Sequence, residues 1–128
     1  MIEQELFHAQ VAQLDTGIVP LQRSRFNEAK SNLKGLEYAA LGVPFVASPT
    51  AEYERLADRG AGRLAGPSWG EWRTGVLSCL DDRDEEAERG RAVVREHYLI
   101  EDNAWRWAEA WERAERIARS RSSVIDAP

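Results

Sequence analysis

The sequence predicts an α/β fold: a short parallel sheet with flanking helices and a helical C-terminal region. Two observations carry this. Pro44-Phe45-Val46-Ala47-Ser48 is a continuous apolar run bounded by prolines at 44 and 49, the pattern of a strand covered on both faces. A second apolar run, Gly17-Ile18-Val19, lies upstream with a helical segment between the two. Strand, loop, helix and strand within about 30 residues make a βαβ unit, which implies a right-handed crossover.

The elements follow in order. Ile2, Leu6, Phe7, Val11 and Leu14 recur at helical spacing, which predicts a helix over 2–13. Pro20 closes the first strand, and 21–27, polar around a single Phe26, reads as a loop. From Ser31 to Leu41 the apolar residues Leu33, Leu36, Ala40 and Leu41 share a helical face, and Gly42 followed by Pro44 is a stop signal. Thr50 is the expected N-cap of a short helix over 51–58, ended by Gly60 and Gly62, with Arg63-Leu64-Ala65 as one more strand.

Helices are then expected over 69–80, with Trp69, Trp72, Val76 and Leu80 on one face, and over 83–97, with Ala87, Val93, Val94 and Tyr98. The acidic cluster Asp81, Asp82, Asp84, Glu85 and Glu86 suits the positive end of that helix and needs no metal. A last helix over 103–119 carries Ala104, Trp107, Ala108, Trp111, Ala114 and Ala118 as a docking stripe. The polar stretch 120–128 reads as a frayed tail.

With 128 residues and 43% apolar composition, the chain suffices for one domain and one core. A net charge of −5 argues against a dedicated nucleic-acid binder, which needs a basic face. No apolar stretch approaches the roughly 20 residues that span a bilayer, and the N-terminus lacks a signal pattern, so the expectation is a cytoplasmic protein. Cys79 has no partner cysteine and reads as a buried small apolar residue. His8 and His97 lack partners at metal spacing, and no serine sits in a Gly-x-Ser-x-Gly elbow, so neither a metal centre nor a hydrolase is expected.

The chemistry concentrates before and within the helix over 31–41. Lys30 and Lys34 stand at its start, where the helix dipole disfavours cations by roughly 0.3–1 kcal/mol each unless an anion is bound there. A phosphate would collect the amides near Ser31 and Asn32 together with the Lys30 ammonium. Positions 30, 34 and 37 fall on adjoining rows of one surface, which sets Glu37 behind that site, where a carboxylate can accept from a vicinal diol such as a ribose. The plainer alternative is an exposed Lys34–Glu37 i,i+3 pair with Lys30 solvated. Arg23 and Arg25, in the preceding loop, are candidates for reaching diphosphate oxygens.

The run Lys30-Ser31-(x2)-Lys34-Gly35-Leu36-Glu37-Tyr38-Ala39-Ala40-Leu41-Gly42-Val43-Pro44-Phe45-Val46-Ala47-Ser48 resembles the donor-site segment of the retaining GT-B glycosyltransferases, the "glycosyl transferases group 1" family. In that family a Glu-x7-Glu motif crosses the same loop and helix. Leu36-Glu37-Tyr38-Ala39-Ala40 matches its second half, so the resemblance implies that Glu37 holds the ribose of a nucleoside-diphosphate sugar. The first glutamate falls at Lys30, a departure that resembles the Lys-Ser-x-x-Lys branch.

Asp15 to Leu21 resembles the strand before the motif, Ser48 to Tyr53 the loop after the next strand, and the Trp-rich helix the family's last one. The resemblance implies that 1–119 are the C-terminal portion of a Rossmann-like, nucleotide-sugar-binding domain, with the N-terminal acceptor domain and the first donor-domain strands outside this chain. It implies no cofactor or metal, an enzyme inactive as this piece alone, and catalytic residues that stay unassigned. The rival expectation is a non-catalytic module that pairs with a second copy or another protein through an open sheet edge and the Trp107/Trp111 stripe. A third is a nucleotide binder unrelated to sugar transfer.

Overall fold

The computed structural model describes residues 4–125, with side chains over 6–119. The chain divides into two units, 1–96 and 97–128. In the first, helix α1 (Gln4–Val11) leads into strand β1 (Gly17–Val19), a short helix α2 (Arg25–Glu28), helix α3 (Leu33–Leu41) and strand β2 (Phe45–Ala47). Helix α4 (Ala51–Asp58), strand β3 (Arg63–Leu64), helix α5 (Trp69–Asp81) and helix α6 (Arg83–His97) follow. The second unit is helix α7 (Ile100–Ile125).

The sheet has the order β1-β2-β3. Both pairings are parallel, with Ile18 opposite Val46 and Ala47 opposite Leu64. The molecule is otherwise mainly helical, so the α/β expectation holds at the level of a small parallel sheet flanked by helices. Alternation along β2 sends Phe45 and Val46 to opposite faces. Phe45 packs against Tyr38 of α3 (ring centroids 6.1 Å) and edge-on against Tyr53 of α4 (6.4 Å). Val46 packs with Ala65, Cys79, Trp72 and Val76, so α5 covers the other face. All three residues of β2 are buried, as the unbroken apolar run demands. Burial also raises the pKa of the Tyr53 hydroxyl and the Cys79 thiol, and Cys79 lies in the core as expected.

Several expected faces are rotated. In α3 the buried positions are Gly35 and Ala39, whereas Leu33 is 60% exposed and Ala40 is exposed. Close approach decides this: a Cβ at Gly35 would stand 2.8 Å from the Tyr53 ring and 3.0 Å from that of Phe45. The helix therefore presents its small residues, not its largest, to the sheet. In α5 Trp72 and Val76 face the core as expected, but Cys79 joins them in place of Trp69 and Leu80, which are exposed. Gly75 lies beside Val46 and sets that arrangement. In α6 the buried set is Glu86, Ala87, Gly90 and Val93, which includes a carboxylate that apolar periodicity overlooks.

Two boundaries also differ. The end of the loop expected over 21–27 instead forms α2 (Arg25–Glu28), because the Ser24 hydroxyl accepts from the Asn27 N–H (3.1 Å) as an N-cap. Helix α7 begins at Ile100 and runs to Ile125, so the expected tail is helical over most of its length, while 126–128 lie outside the described residues, as does the expected helix start at Ile2. Trp107 and Trp111 are 66% and 72% exposed along α7. No described helix is long and apolar enough to cross a membrane.

Candidate functional site

The three parallel strands end at Val19, Ala47 and Leu64, and ligands of open parallel sheets gather at such carboxyl ends. The β1–α2 loop, the start of α3 and the start of α4 all emerge there. Asn32 ties two of them together: it is buried, and its Nδ2 donates to the Glu52 carbonyl at the start of α4 (3.2 Å). Asn32 occupies the N-cap position of α3 without a side-chain cap bond, so its amide group is committed to holding the two helix starts in register. The Ser68–Glu71 capping box shapes the start of α5. Hydrogen bonds from Ser68 hold the Glu71 carboxyl below the usual carboxylate range. Its Ser-x-x-Glu spacing is a signal that the sequence carries openly.

The structure places the sequence-derived site residues as follows. Lys34 and Glu37 form an ion pair at 2.6 Å, with side chains 47% and 30% exposed. The Lys34 ammonium also lies over the Phe7 ring at 5.3 Å, and Lys30 over Phe26 at 5.0 Å. An exposed i,i+3 pair stabilises by only about 0.2–0.5 kcal/mol, so a ligand diol or phosphate displaces it at little cost. Ser31 is exposed beside Lys30 in the turn that precedes α3, and Arg25 is exposed at the first position of α2. The structure thus joins Lys34 to Glu37 directly, and sets Lys30 and Ser31 in the turn just before α3, with Lys30 against Phe26.

Sequence reasoning missed a cavity of about 460 Å³ at the strand ends, lined on its polar side by Gln22, Arg23, Ser48 and Thr50 and on its apolar side by Leu21 and Trp72. Ser48 Oγ accepts from the Leu21 N–H (2.9 Å), which pins the loop after β1 to the end of β2. Thr50 is 3% exposed, and its Oγ1 is buried with no hydrogen-bond partner. It stands at the N-cap position of α4 as expected, but the hydroxyl makes no cap bond. A buried hydroxyl left unpaired costs roughly 1–3 kcal/mol. The available signal was positional: once β1 and β2 are read as parallel, the residues just after them fall at the ligand-binding edge.

A charged cluster lies elsewhere. Glu86 Oε1 accepts from Arg63 of β3 at 2.5 Å and from Arg89 at 2.8 Å, and Asp82 meets the same Arg63 nitrogen at 2.9 Å. Glu86 raises the pKa of Arg89, first by hydrogen bonding and then by its charge. With its acid and base groups mutually committed, this cluster is a structural clamp. Among the described residues no group of three or more His, Cys, Asp or Glu is placed to hold a metal ion.

Fold and site together define a class: a parallel α/β unit with an accessible Lys34–Glu37 pair on the crossover helix and a cavity at the carboxyl edge of its sheet. Comparison with protein-family models, curated proteins and solved structures finds no match that would narrow this class.

Proposed function

We propose that this chain is the donor-binding portion of a glycosyltransferase that takes its sugar from a nucleoside-diphosphate sugar, and that it is a partial Rossmann-like domain inactive alone. The observation that supports this reading is the accessible Lys34–Glu37 pair on α3, the helix that crosses between the parallel strands β1 and β2, with the exposed Lys30 and Ser31 just before its start. The basic residues and helix-start amides suit a diphosphate, and Glu37 suits a ribose diol. In a complete enzyme, preorganised positive charge there would stabilise the leaving phosphate as its charge develops. The acceptor side belongs to the N-terminal domain that this reading requires outside the chain.

Calorimetric titration with UDP, GDP and ADP tests the reading. One nucleotide is expected to bind saturably, with affinity lowered roughly tenfold by either Glu37→Ala or Lys30→Ala, as for loss of a charge-assisted hydrogen bond. No binding at millimolar nucleotide would overturn it, and so would sugar transfer catalysed by the isolated chain.

A second reading, an interaction module, is favoured by a specific surface. On the α5 face, beside the outer edge of β1, Thr16, Ile18, Trp69, Trp72, Val76 and Leu77 line an almost wholly apolar groove of about 560 Å³. Trp69 is 79% exposed, and large exposed apolar groups of this kind mark interaction sites. On this reading, size-exclusion chromatography with light scattering shows a dimer at high concentration that Trp69→Ser disrupts; a monomer throughout counts against self-association.

A further inference from the structure

We propose that the cavity between the β1–α2 loop and the start of α4 is an oxyanion site of the phosphate class, held by Thr50, Ser48 and Arg23. Three independent features converge on it. Thr50 is among the residues that line the cavity, and its hydroxyl is buried and unpartnered, so the fold there lacks one hydrogen-bonding group. Ser48 Oγ spends a lone pair on the Leu21 N–H, which leaves its own hydrogen to donate to a ligand oxygen. Arg23, an exposed residue of the same lining, has no carboxylate partner among the described residues.

The backbone adds to the attraction. Thr50 precedes the first turn of α4, whose dipole turns its positive end toward this edge. Of the two acids in that turn, Glu52 is paired with Arg55 and Glu54 is exposed to solvent, which screens its charge, and Glu71 is held by Ser68. Trp72 and the flanking prolines supply the apolar wall that keeps water from screening a bound anion. The site shares Arg23 with the residues the nucleotide-sugar reading offers to a diphosphate, but Lys30, Lys34 and Glu37 do not line it, and the two are separated by their variants.

Titration of the whole chain with inorganic phosphate, followed by amide shifts in ¹H–¹⁵N NMR, tests the inference. Saturable shifts are expected at Ser48, Thr50 and the first turn of α4. Thr50→Val and Arg23→Ala should each weaken binding roughly tenfold, and Lys30→Ala should leave it within about twofold. Arg23 is exposed, so its variant tests binding without disturbing the fold. The free Thr50→Val protein should unfold at no lower temperature than the parent, since the hydroxyl has no partner to lose.

Absence of saturable shifts, shifts confined to 30–34, or unchanged affinity in either cavity variant would overturn the site. A lower unfolding temperature for Thr50→Val would do the same, because it would reveal a hydroxyl already satisfied within the fold. Phosphate binding without nucleotide binding would leave this site standing and remove the nucleotide-sugar reading; nucleotide binding abolished by Lys30→Ala without phosphate binding here would do the reverse.

Discussion

Replacing Glu86 by alanine is expected to destabilise the protein by about 3 kcal/mol, read as a lower urea midpoint with an unchanged m-value. Glu86 is 5% exposed, and one of its oxygens accepts from both Arg63 and Arg89. Its removal leaves the half-buried Arg63 guanidinium facing a void, with Asp82 as its remaining anion and an Nε already buried without a partner. Breaking a buried pair from one side costs about 3–5 kcal/mol, and the partial exposure of Arg63 and Arg89 places this case at the low end. Because the pair joins β3 to α6, the loss should also expose α6 amides to faster hydrogen exchange. Glu86→Gln, which keeps the volume and one acceptor, should lose less. A change below about 1 kcal/mol for Glu86→Ala would show that Asp82 alone neutralises Arg63.

Gly62→Ala is expected to cost about 2–4 kcal/mol in the same measurement, from two separable causes. The residue has φ +78°, a left-handed conformation that costs any residue with a Cβ roughly 1–2 kcal/mol. The added methyl would also collide with the Phe45 ring, which is 2% exposed and held between Tyr38 and Tyr53. Overpacking of that kind adds about 1–3 kcal/mol. Gly60→Ala separates the two: its φ is +102°, but no atom lies within 4 Å of a Cβ built there, so only the backbone cost applies. Equal losses at the two positions would mean that the aromatic cluster yields to the extra carbon.

How much was legible in the sequence follows from particular residues. The prolines around Phe45-Val46-Ala47, the Gly42 stop and the Gly60/Gly62 pair locate β2 and the ends of α3 and α4, because these residue types restrict or free the backbone locally. The helix faces were less legible. Leu33 and Trp69 look like core residues by type, yet Gly35 and Gly75 take the sheet-facing positions, because packing distance across a face is not written in hydrophobicity. At the candidate site, the Lys34–Glu37 pair was foreseeable from i,i+3 spacing alone, and both its plain and its functional readings remain compatible with the 2.6 Å contact.

The sequence by itself determined the order of the three strands and the longer helices, the parallel βαβ connection from β1 through α3 to β2, and the Lys34–Glu37 pair, since all of these depend on residues near one another in the chain. Only the tertiary structure decided that Asn32 locks α3 to α4, that Glu86 is a buried clamp for Arg63, and that Ser48, Thr50 and Arg23 share a cavity. Each of those joins residues about 20 or more positions apart. Their proximity follows from how the strands pair and the helices close over them, and no local propensity encodes it.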